Sequence, residues 1–176
     1  TISELKKNIT DINKYKLNLS ETLKKLEVEN VIELCELILS AWKTNNTIYI
    51  CGNGGSAANA IHIANDMTYG AGIKNGKGIS IESLTSNSAV LTCLANDLSY
   101  EDIFSEQIKV KGKSNDLLIV LSGSGNSKDV IKAIEVAKNK KMKTFAIVGF
   151  DGGICKKISD NFIPVSYTHL TLPTNG

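Results

Sequence analysis

Two short segments rich in glycine and serine are the first feature of the chain that could do chemistry. The first loop covers residues 52–57 (GNGGSA) and the second loop covers residues 122–127 (SGSGNS), each between a hydrophobic run and a helix-like run. Glycine lets the backbone approach a ligand, the N-terminus of the following helix attracts anions, and serine adds hydroxyl donors. We therefore predict that the two loops hold two ends of one phosphorylated ligand. The hydroxyl donors of these loops are Ser56 in the first and Ser122, Ser124 and Ser127 in the second.

A histidine and a carboxylate follow the first loop at helical spacing. His62 and Asp66 are four residues apart, so on a helix their side chains lie on one face. Aldose–ketose interconversion through an enediol requires a carboxylate that takes a proton from the carbon beside a carbonyl, and a second group that moves protons on oxygen. A divalent ion held by the pair would polarise the carbonyl. The alternative is a polar pair that satisfies its own hydrogen bonds beside the core.

Two other polar segments follow predicted apolar elements. Asn96 and Asp97 come directly after an apolar helix-like run, and residues 83–88 (SLTSNS) follow a strand-like run. Asn96 and Asp97 could face the hydroxyls of a sugar, whereas Asp97 or Ser99 could instead cap the next helix. The hydroxyl-rich segment 83–88 could likewise bind the ligand or cap the helix that begins near Ala89.

The first loop also fits the G-x-G-x-x-A pattern of dinucleotide-binding proteins. Glu82 would then be the acid that binds the ribose, but it follows Gly52 by thirty residues, whereas the pattern places that acid about twenty residues on. A nicotinamide enzyme would also leave the second loop without a role. We therefore favour a sugar phosphate as the ligand and predict no nucleotide cofactor.

The charge and cysteine content argue against several classes of protein. All 20 basic residues are lysines, so no guanidinium clamps a phosphate, and backbone amides and hydroxyls must do so. A net charge of +2 forms no basic stripe, which argues against nucleic-acid binding. No apolar stretch is long enough for a membrane span, and the four cysteines include no CxxC pair. We expect a cytoplasmic protein with reduced thiols and no membrane partner.

Hydrophobic runs alternate with helical patterns through most of the chain, which predicts a doubly wound, three-layer α/β/α fold. Continuous apolar runs such as residues 117–121 (LLIVL) are typical of a parallel sheet that is buried on both faces. Both loops then fall at the carboxyl ends of strands, where such sheets bind ligands. The five predicted strands are 47–51, 78–81, 116–121, 143–148 and 162–165, and the helices among them are 56–67, 89–96, 101–111, 128–138 and 154–158.

Two amphipathic helices are predicted before the first strand. One extends from Ile2 to about Leu26, and the second runs from about Val28 to Asn45. We assign residues 1–45 to the same domain as residues 46–165. Because these helices have no sheet of their own to cover fully, they pack either on their own domain or against another subunit, where they would form an oligomer interface.

Taken together, these residues resemble the sugar isomerase (SIS) domain family, most closely its phosphoheptose isomerase branch. The motifs that carry the resemblance occur in the order of that branch and are residues 52–57, His62 with Asp66, 94–97 (LAND), 122–127 and 149–153 (GFDGG). The resemblance implies a flavodoxin-like sheet and a homotetramer that uses the N-terminal helices. The substrate contacts that it implies come from Asn53, Gly54, Gly55, Asn96, Asp97, Ser122, Gly123, Ser124 and Ser127. It also implies one zinc or other divalent ion per subunit. The implied reaction converts sedoheptulose 7-phosphate to a heptose 7-phosphate that feeds surface-polysaccharide precursors such as those of lipopolysaccharide.

The chain departs from this branch at two places. Asp66 stands where well-known members have a glutamate that serves as acid/base and zinc ligand, so the same chemistry has a shorter reach. Residues 166–176 match nothing in the C-terminal helix that in the family carries a glutamine and a histidine of the site, and Pro173 suits a helix interior poorly. We therefore expect a disordered or foreign tail at 166–176 in place of the catalytic helix. We do not assign the family's catalytic histidine to His169.

Two hypotheses about function follow from these residues. The first is a cytoplasmic phosphosugar isomerase in which Asp66 transfers the proton and His62 is a metal ligand or its helper. The second is a non-catalytic SIS module that binds a phosphosugar in order to regulate or to bridge other proteins. Relatives of the second kind commonly lack the helix carboxylate, so the presence of Asp66 favours the enzyme.

Overall fold

The fold is built around one sheet, and the computed structural model describes residues 2–70 and 76–165 of the chain. Helices α1 (Ile2–Lys24) and α2 (Val28–Lys43) precede the sheet. Its strands are β1 (Ile48–Gly52), β2 (Ile81–Ser83), β3 (Leu117–Ser122), β4 (Lys143–Gly149) and β5 (Asn161–Val165). The helices that connect the strands are α3 (Gly55–Asn65), α4 (Ser88–Asp97), α5 (Ser105–Lys111), α6 (Lys128–Asn139) and α7 (Gly153–Ile158). A π-helical turn (Asp66–Gly70) follows α3 and a 3-10 turn (Tyr100–Asp102) precedes α5, while the tail expected at 166–176 lies outside the described residues.

All neighbouring strands of the sheet are parallel, in the order β2-β1-β3-β4-β5. β1 and β3 are buried along their whole length, because helices cover both faces of the sheet. This strand order is that of flavodoxin-like sheets, so the predicted three-layer α/β fold is confirmed. The edge strands are β2, which has three residues, and β5, which contains Pro164.

Two hydrophobic clusters fill the space on the two faces of the sheet. On one face the strands pack against α5 and α6 through fully buried side chains such as Ile108 and Ile134. On the other face α2 and α3 cover the strands, with Ala41 and Ala60 buried at the contact. Helix α2 therefore packs on its own domain, which is one of the two arrangements predicted for it. Within residues 2–70 and 76–165, no helix has both the length and the hydrophobicity that crossing a membrane requires.

The second strand lies further along the chain than predicted. It is expected at 78–81, but β2 pairs with β1 over Ile81–Ser83. The N–H of Ile79 donates to the Met67 carbonyl of the π-helical turn at 3.2 Å. The Ser80 carbonyl accepts the Ile48 N–H of β1 at 2.8 Å, so both that turn and the sheet hold the segment before β2.

The helix predicted at 101–111 is divided into the 3-10 turn and α5. Ile103 and Phe104 lie between the two elements, and both are buried. Adjacent positions of an α-helix point about 100° apart. The break in the helix lets both neighbouring side chains enter the core.

Asp160 ties the start of β4 to the turn before β5. Its Oδ2 accepts the N–H and the hydroxyl of Thr144, both at 2.9 Å, and the Asp160 N–H donates back to Thr144 Oγ1 at 2.9 Å. Lys138 Nζ lies 3.2 Å from Asp160 Oδ1. Partial desolvation raises the pKa of Asp160, but the hydrogen bonds from Thr144 and the charge of Lys138 outweigh it and hold that pKa below its usual value.

Replacing Asp160 by asparagine is expected to destabilise the protein in a pH-dependent way. Because the pKa of Asp160 is lower in the folded than in the unfolded protein, its charge stabilises the fold fully at pH values above the unfolded pKa of about 3.9. This stabilisation is lost as the pH falls through the pKa of the folded protein. We expect Asp160→Asn to lower the free energy of unfolding by about 1 kcal/mol at neutral pH, since the side chain is partly exposed. Urea unfolding of both proteins from neutral pH down to about pH 2 checks this. A difference that stayed constant over this range would contradict the role of the charge.

Candidate functional site

Both glycine–serine loops lie at the same edge of the sheet. β1 and β3 are neighbours with Gly52 opposite Leu121, so the first and second loops leave adjacent strands. From β1 the chain winds outward to β2, and from β3 it winds in the opposite direction to β4. In sheets with this strand order, ligands bind in the crevice where the winding reverses. The two loops flank that position.

The first loop brings backbone rather than side chains to this edge. A Cβ at Gly52 would lie 2.6 Å from the Leu121 carbonyl oxygen, so only glycine lets the ends of β1 and β3 lie this close. Gly54 has a φ of 54° and precedes α3, which no side chain caps. The Asn53 carbonyl accepts the Ser56 N–H at 3.0 Å and starts the helix. The N-terminus of α3 is therefore a backbone surface that a ligand could approach closely.

The hydroxyls of the second loop are hydrogen-bonded to the loop's own backbone. Ser122 Oγ accepts the Gly125 N–H at 3.1 Å, and Ser124 Oγ accepts the Asn126 N–H at 3.2 Å. Ser127 is the N-cap residue of α6, but its side chain makes no capping hydrogen bond. The first N–H groups of α6 have no acceptor within the helix. Together with the positive end of the helix dipole they form a site suited to an anion.

The start of α7 supports the second loop from behind. The Cys155 N–H donates to the Gly125 carbonyl at 2.9 Å, and the Ile154 N–H donates to Asn126 Oδ1 at 3.1 Å. Gly125 has a φ of 65°, and a Cβ there would lie 2.0 Å from the Gly152 carbonyl oxygen. The N–H groups at the start of α7 therefore shape the loop, which leaves the start of α6 as the anion site of this half.

A cavity of about 220 Å³ opens beside the first loop. It lies between that loop, α4 and the 3-10 turn, and its walls are mainly apolar. The residues that define its walls include Asn53, Gly54, Thr85, Leu91, Tyr100 and Phe104. No residue of the second loop lines it. The structure thus brings the two loops to one edge of the sheet but not into one enclosed cavity, and the prediction that they share a ligand stays a prediction.

Tyr100 belongs to this site although no sequence pattern marks it. Its Oη donates to Asn53 Oδ1 at 3.0 Å, a contact between residues 47 positions apart. Thr85 comes from the hydroxyl-rich segment 83–88, for which ligand binding and capping were both open. In that segment Asn87 caps α4 by accepting the Val90 N–H at 3.2 Å, whereas Thr85 lines the cavity. Within this segment Asn87 therefore caps the helix, and ligand binding stays a prediction for Thr85.

Asn96 and Asp97 are exposed at the end of α4 and interact with each other. Asn96 Nδ2 donates to Asp97 Oδ1 at 2.8 Å, and the Cys93 thiol lies 3.4 Å from Asp97 Oδ2. These hydrogen bonds hold the pKa of Asp97 below its usual value. Ser99, rather than Asp97, occupies the N-cap position of the following 3-10 turn. Neither Asn96 nor Asp97 lines the cavity beside the first loop.

His62 and Asp66 lie side by side on the outer surface of α3. His62 Nε2 is 3.4 Å from Asp66 Oδ2, and the two side chains are 76% and 60% exposed. They share one helix face as predicted, but they do not lie beside the core. His62 is seven residues beyond Gly55, where α3 begins, which places it about 10 Å along the helix axis from the first loop. The structure thus places the pair outside the cavity, on a surface open to a ligand or a partner.

This pair offers an imidazole nitrogen and a carboxylate oxygen, both of which bind zinc. A catalytic zinc usually has three protein ligands. Among residues 2–70 and 76–165, no group of three or more histidine, cysteine, aspartate or glutamate side chains is arranged to hold a metal ion. The described residues fit two positions of such a site, and a further ligand would have to come from outside them.

Comparison with known proteins places the chain among sugar isomerases. The profile of the SIS domain matches residues 13–149. A phosphoheptose isomerase of Helicobacter pylori (strain ATCC 700392 / 26695) is 42% identical over 146 residues, which are 83% of this chain and 75% of that protein. One from Chlorobium phaeobacteroides is 35% identical over 90% of this chain and 71% of its own length. The solved structure of phosphoheptose isomerase GmhA from Neisseria gonorrhoeae superposes with a TM-score of 0.83 at 31% identity, covering 96% of this chain and 88% of that one.

Proposed function

From the premise that the chain belongs to the SIS domain family, in its phosphoheptose isomerase branch, we propose that it interconverts sedoheptulose 7-phosphate and a heptose 7-phosphate. The structural observation that carries this proposal is the pair of loops at the ends of adjacent strands β1 and β3. A ligand at this position meets two helix N-termini, which suits an anionic group. The product would feed the heptose precursors of surface polysaccharides such as lipopolysaccharide.

The phosphate group is proposed to bind at the start of α6. Ser127 leaves the first N–H groups of this helix without a side-chain cap, so they are available to phosphate oxygens. The hydroxyls of Ser122 and Ser124 lie in the same loop and can exchange their backbone partners for the ligand. Because the chain has no arginine, this amide and hydroxyl set takes the place of a guanidinium. The sugar then extends toward the first loop.

Proton transfer is assigned to Asp66. Isomerisation removes a proton from the carbon beside the carbonyl and returns one to the neighbouring carbon, while the oxygen atoms exchange a proton through the enediol. Asp66 would carry the carbon-bound proton, and His62, 3.4 Å away, would orient it or serve the oxygen atoms. Both side chains are exposed, so the carboxylate is open to a ligand.

His62 and Asp66 are also the residues that would hold a divalent ion, such as zinc. When bound, such an ion polarises the substrate carbonyl. With two ligands supplied by α3, a further ligand from outside the described residues would complete the site.

Assembly into a homotetramer through the N-terminal helices is part of the proposal. Several large apolar side chains on these helices are 42–66% exposed in the single chain. They are Ile12, Leu17, Leu23, Val28, Ile32 and Leu39. Large exposed apolar side chains are what a protein interface would cover. We place the protein in the cytoplasm, since all four cysteines are free thiols, as reducing compartments keep them.

Hydrogen exchange tests the proposed reaction directly. Incubation of the protein with sedoheptulose 7-phosphate in deuterated water should incorporate deuterium at the carbon beside the carbonyl, because the proton removed by the base exchanges with solvent. Proton NMR of the recovered sugar measures the incorporation, and a parallel sample without protein is the control. Tight binding of the sugar without exchange would contradict the enzyme and favour a non-catalytic SIS module that senses a phosphosugar.

A further inference from the structure

Tyr100 makes a specific contact with the first loop from the far side of the cavity. Its hydroxyl donates to Asn53 Oδ1 at 3.0 Å, and its ring forms part of the cavity wall. The residue is 59% exposed, so burial of its ring is not what holds it in place. The hydrogen bond to Asn53 is the polar interaction of its side chain.

The 3-10 turn that carries Tyr100 is anchored to the helix behind the second loop. Glu101 pairs with Lys128 at 2.9 Å and with Lys132 at 3.4 Å, and Lys132 also lies 3.1 Å from Asp102. Ser99 Oγ donates to Asp102 Oδ2 at 2.6 Å at the start of the turn. One short turn therefore contacts the first loop through its tyrosine and the start of α6 through its two acids. These contacts fix the position of Tyr100 relative to both loops.

The hydrogen bond decides which end of the Asn53 side chain is free. With Oδ1 engaged by the phenol, the NH2 group of the carboxamide and its two N–H donors take no part in this contact. The Asn53 backbone carbonyl is already used by the Ser56 N–H at 3.0 Å. The first loop thus offers donors rather than acceptors at this point.

We propose that Tyr100 is a positioning residue that turns the Asn53 carboxamide so that its NH2 group faces a substrate oxygen. This proposal rests on the proposed isomerase function. Asp66 lies about 16 Å along the helix axis from the start of α3, so the oxygen that meets Asn53 belongs to a part of the substrate away from the reacting carbon, where a fixed N–H donor contributes to binding. A carboxamide free to rotate would present its oxygen part of the time and repel that substrate oxygen.

Removing only the hydroxyl tests this role. Tyr100→Phe is expected to raise KM about fivefold with kcat unchanged, since one neutral hydrogen bond is lost and the donor that it orients serves substrate binding. Tyr49→Phe is the matched control, because it removes a buried tyrosine hydroxyl that donates to the Lys111 carbonyl at 3.1 Å, away from the loops. The control should retain wild-type kcat and KM. A Tyr100→Phe enzyme with wild-type KM would overturn the proposal.

A double-mutant cycle separates positioning from general structural damage. In an Asn53→Ala background, Tyr100→Phe should change KM by less than about twofold, because the group that it positions is absent. A full fivefold rise of KM in that background would show that Tyr100 acts independently of Asn53 and would overturn the proposal.

An NMR measurement distinguishes failure of this role from failure of the isomerase assignment. The side-chain amide signals that vanish in Asn53→Ala identify the Asn53 carboxamide, and they should shift in Tyr100→Phe but not in Tyr49→Phe. If wild-type protein shows no turnover and yet these signals shift, the hydrogen bond that orients Asn53 stands while the reaction assigned to the site is wrong. If wild-type protein is active and the signals do not shift, the positioning role is wrong.

Discussion

Replacing Asp66 by asparagine is expected to lower turnover of sedoheptulose 7-phosphate about a thousandfold while sugar-phosphate binding persists. Asparagine keeps the size of the aspartate side chain, but its amide does not take up the proton that the reaction must move. The side chain is 60% exposed, so the change leaves no buried polar group without a partner and should not affect folding. Initial rates of product formation and calorimetric titration with the sugar phosphate measure the two effects separately.

Glu135→Gln is a matched control for Asp66→Asn. Glu135 is an exposed carboxylate on α6, about two turns from the start of that helix. Its replacement makes the same change of charge and should leave both turnover and binding at wild-type levels. Retained turnover in Asp66→Asn would remove this residue from the mechanism. Loss of binding together with turnover would instead assign Asp66 to substrate binding.

Gly125→Ala is expected to lower the free energy of unfolding by about 3 kcal/mol, and to abolish binding of inorganic phosphate. An added Cβ would lie 2.0 Å from the Gly152 carbonyl oxygen, so the backbone of the second loop or of the turn before α7 must move. The φ of 65° at this position adds strain for any residue with a Cβ. Urea unfolding measures the stability, and phosphate titration monitored by NMR measures the anion site.

Gly123→Ala is the stability control within the same loop. A Cβ at Gly123 would meet no atom within 4 Å, so this variant should unfold within about 0.5 kcal/mol of wild type. The comparison separates the close contact at Gly125 from the general loss of a flexible residue. If Gly125→Ala matched wild type in both stability and phosphate binding, the second loop would not depend on its contact with the start of α7.

The positions of the two loops could be predicted from the sequence because local patterns determine them. The continuous apolar runs of β1 and β3 indicate buried parallel strands. A glycine-rich segment after such a strand lies at the carboxyl ends of the strands, where ligands bind. Spacing alone also predicts that His62 and Asp66 share a helix face. What spacing does not determine is which face of α3 meets the sheet, since isoleucines lie on both sides of His62. The buried Ala60 and Ala64 show that the opposite face does so.

Contacts between distant parts of the chain could not be predicted in this way. Tyr100 and Asn53 come together only because the 3-10 turn is tied to α6, and no periodic pattern encodes that tie. The segment before β2 likewise bonds to the π-helical turn through the Ile79 N–H, a contact that no local pattern encodes. Both are contacts between separate segments, which the preference of a local segment does not predict.

The two borders of the sheet resist templated aggregation. A strand of another molecule can pair with an exposed edge strand, unless that edge strand is short or lacks N–H donors. β2 offers three residues for such pairing, and in β5 Pro164 has no N–H to donate. Sheets of separate molecules are therefore poorly able to join into a continuous fibril. The protein is expected to resist aggregation through its sheet at high concentration.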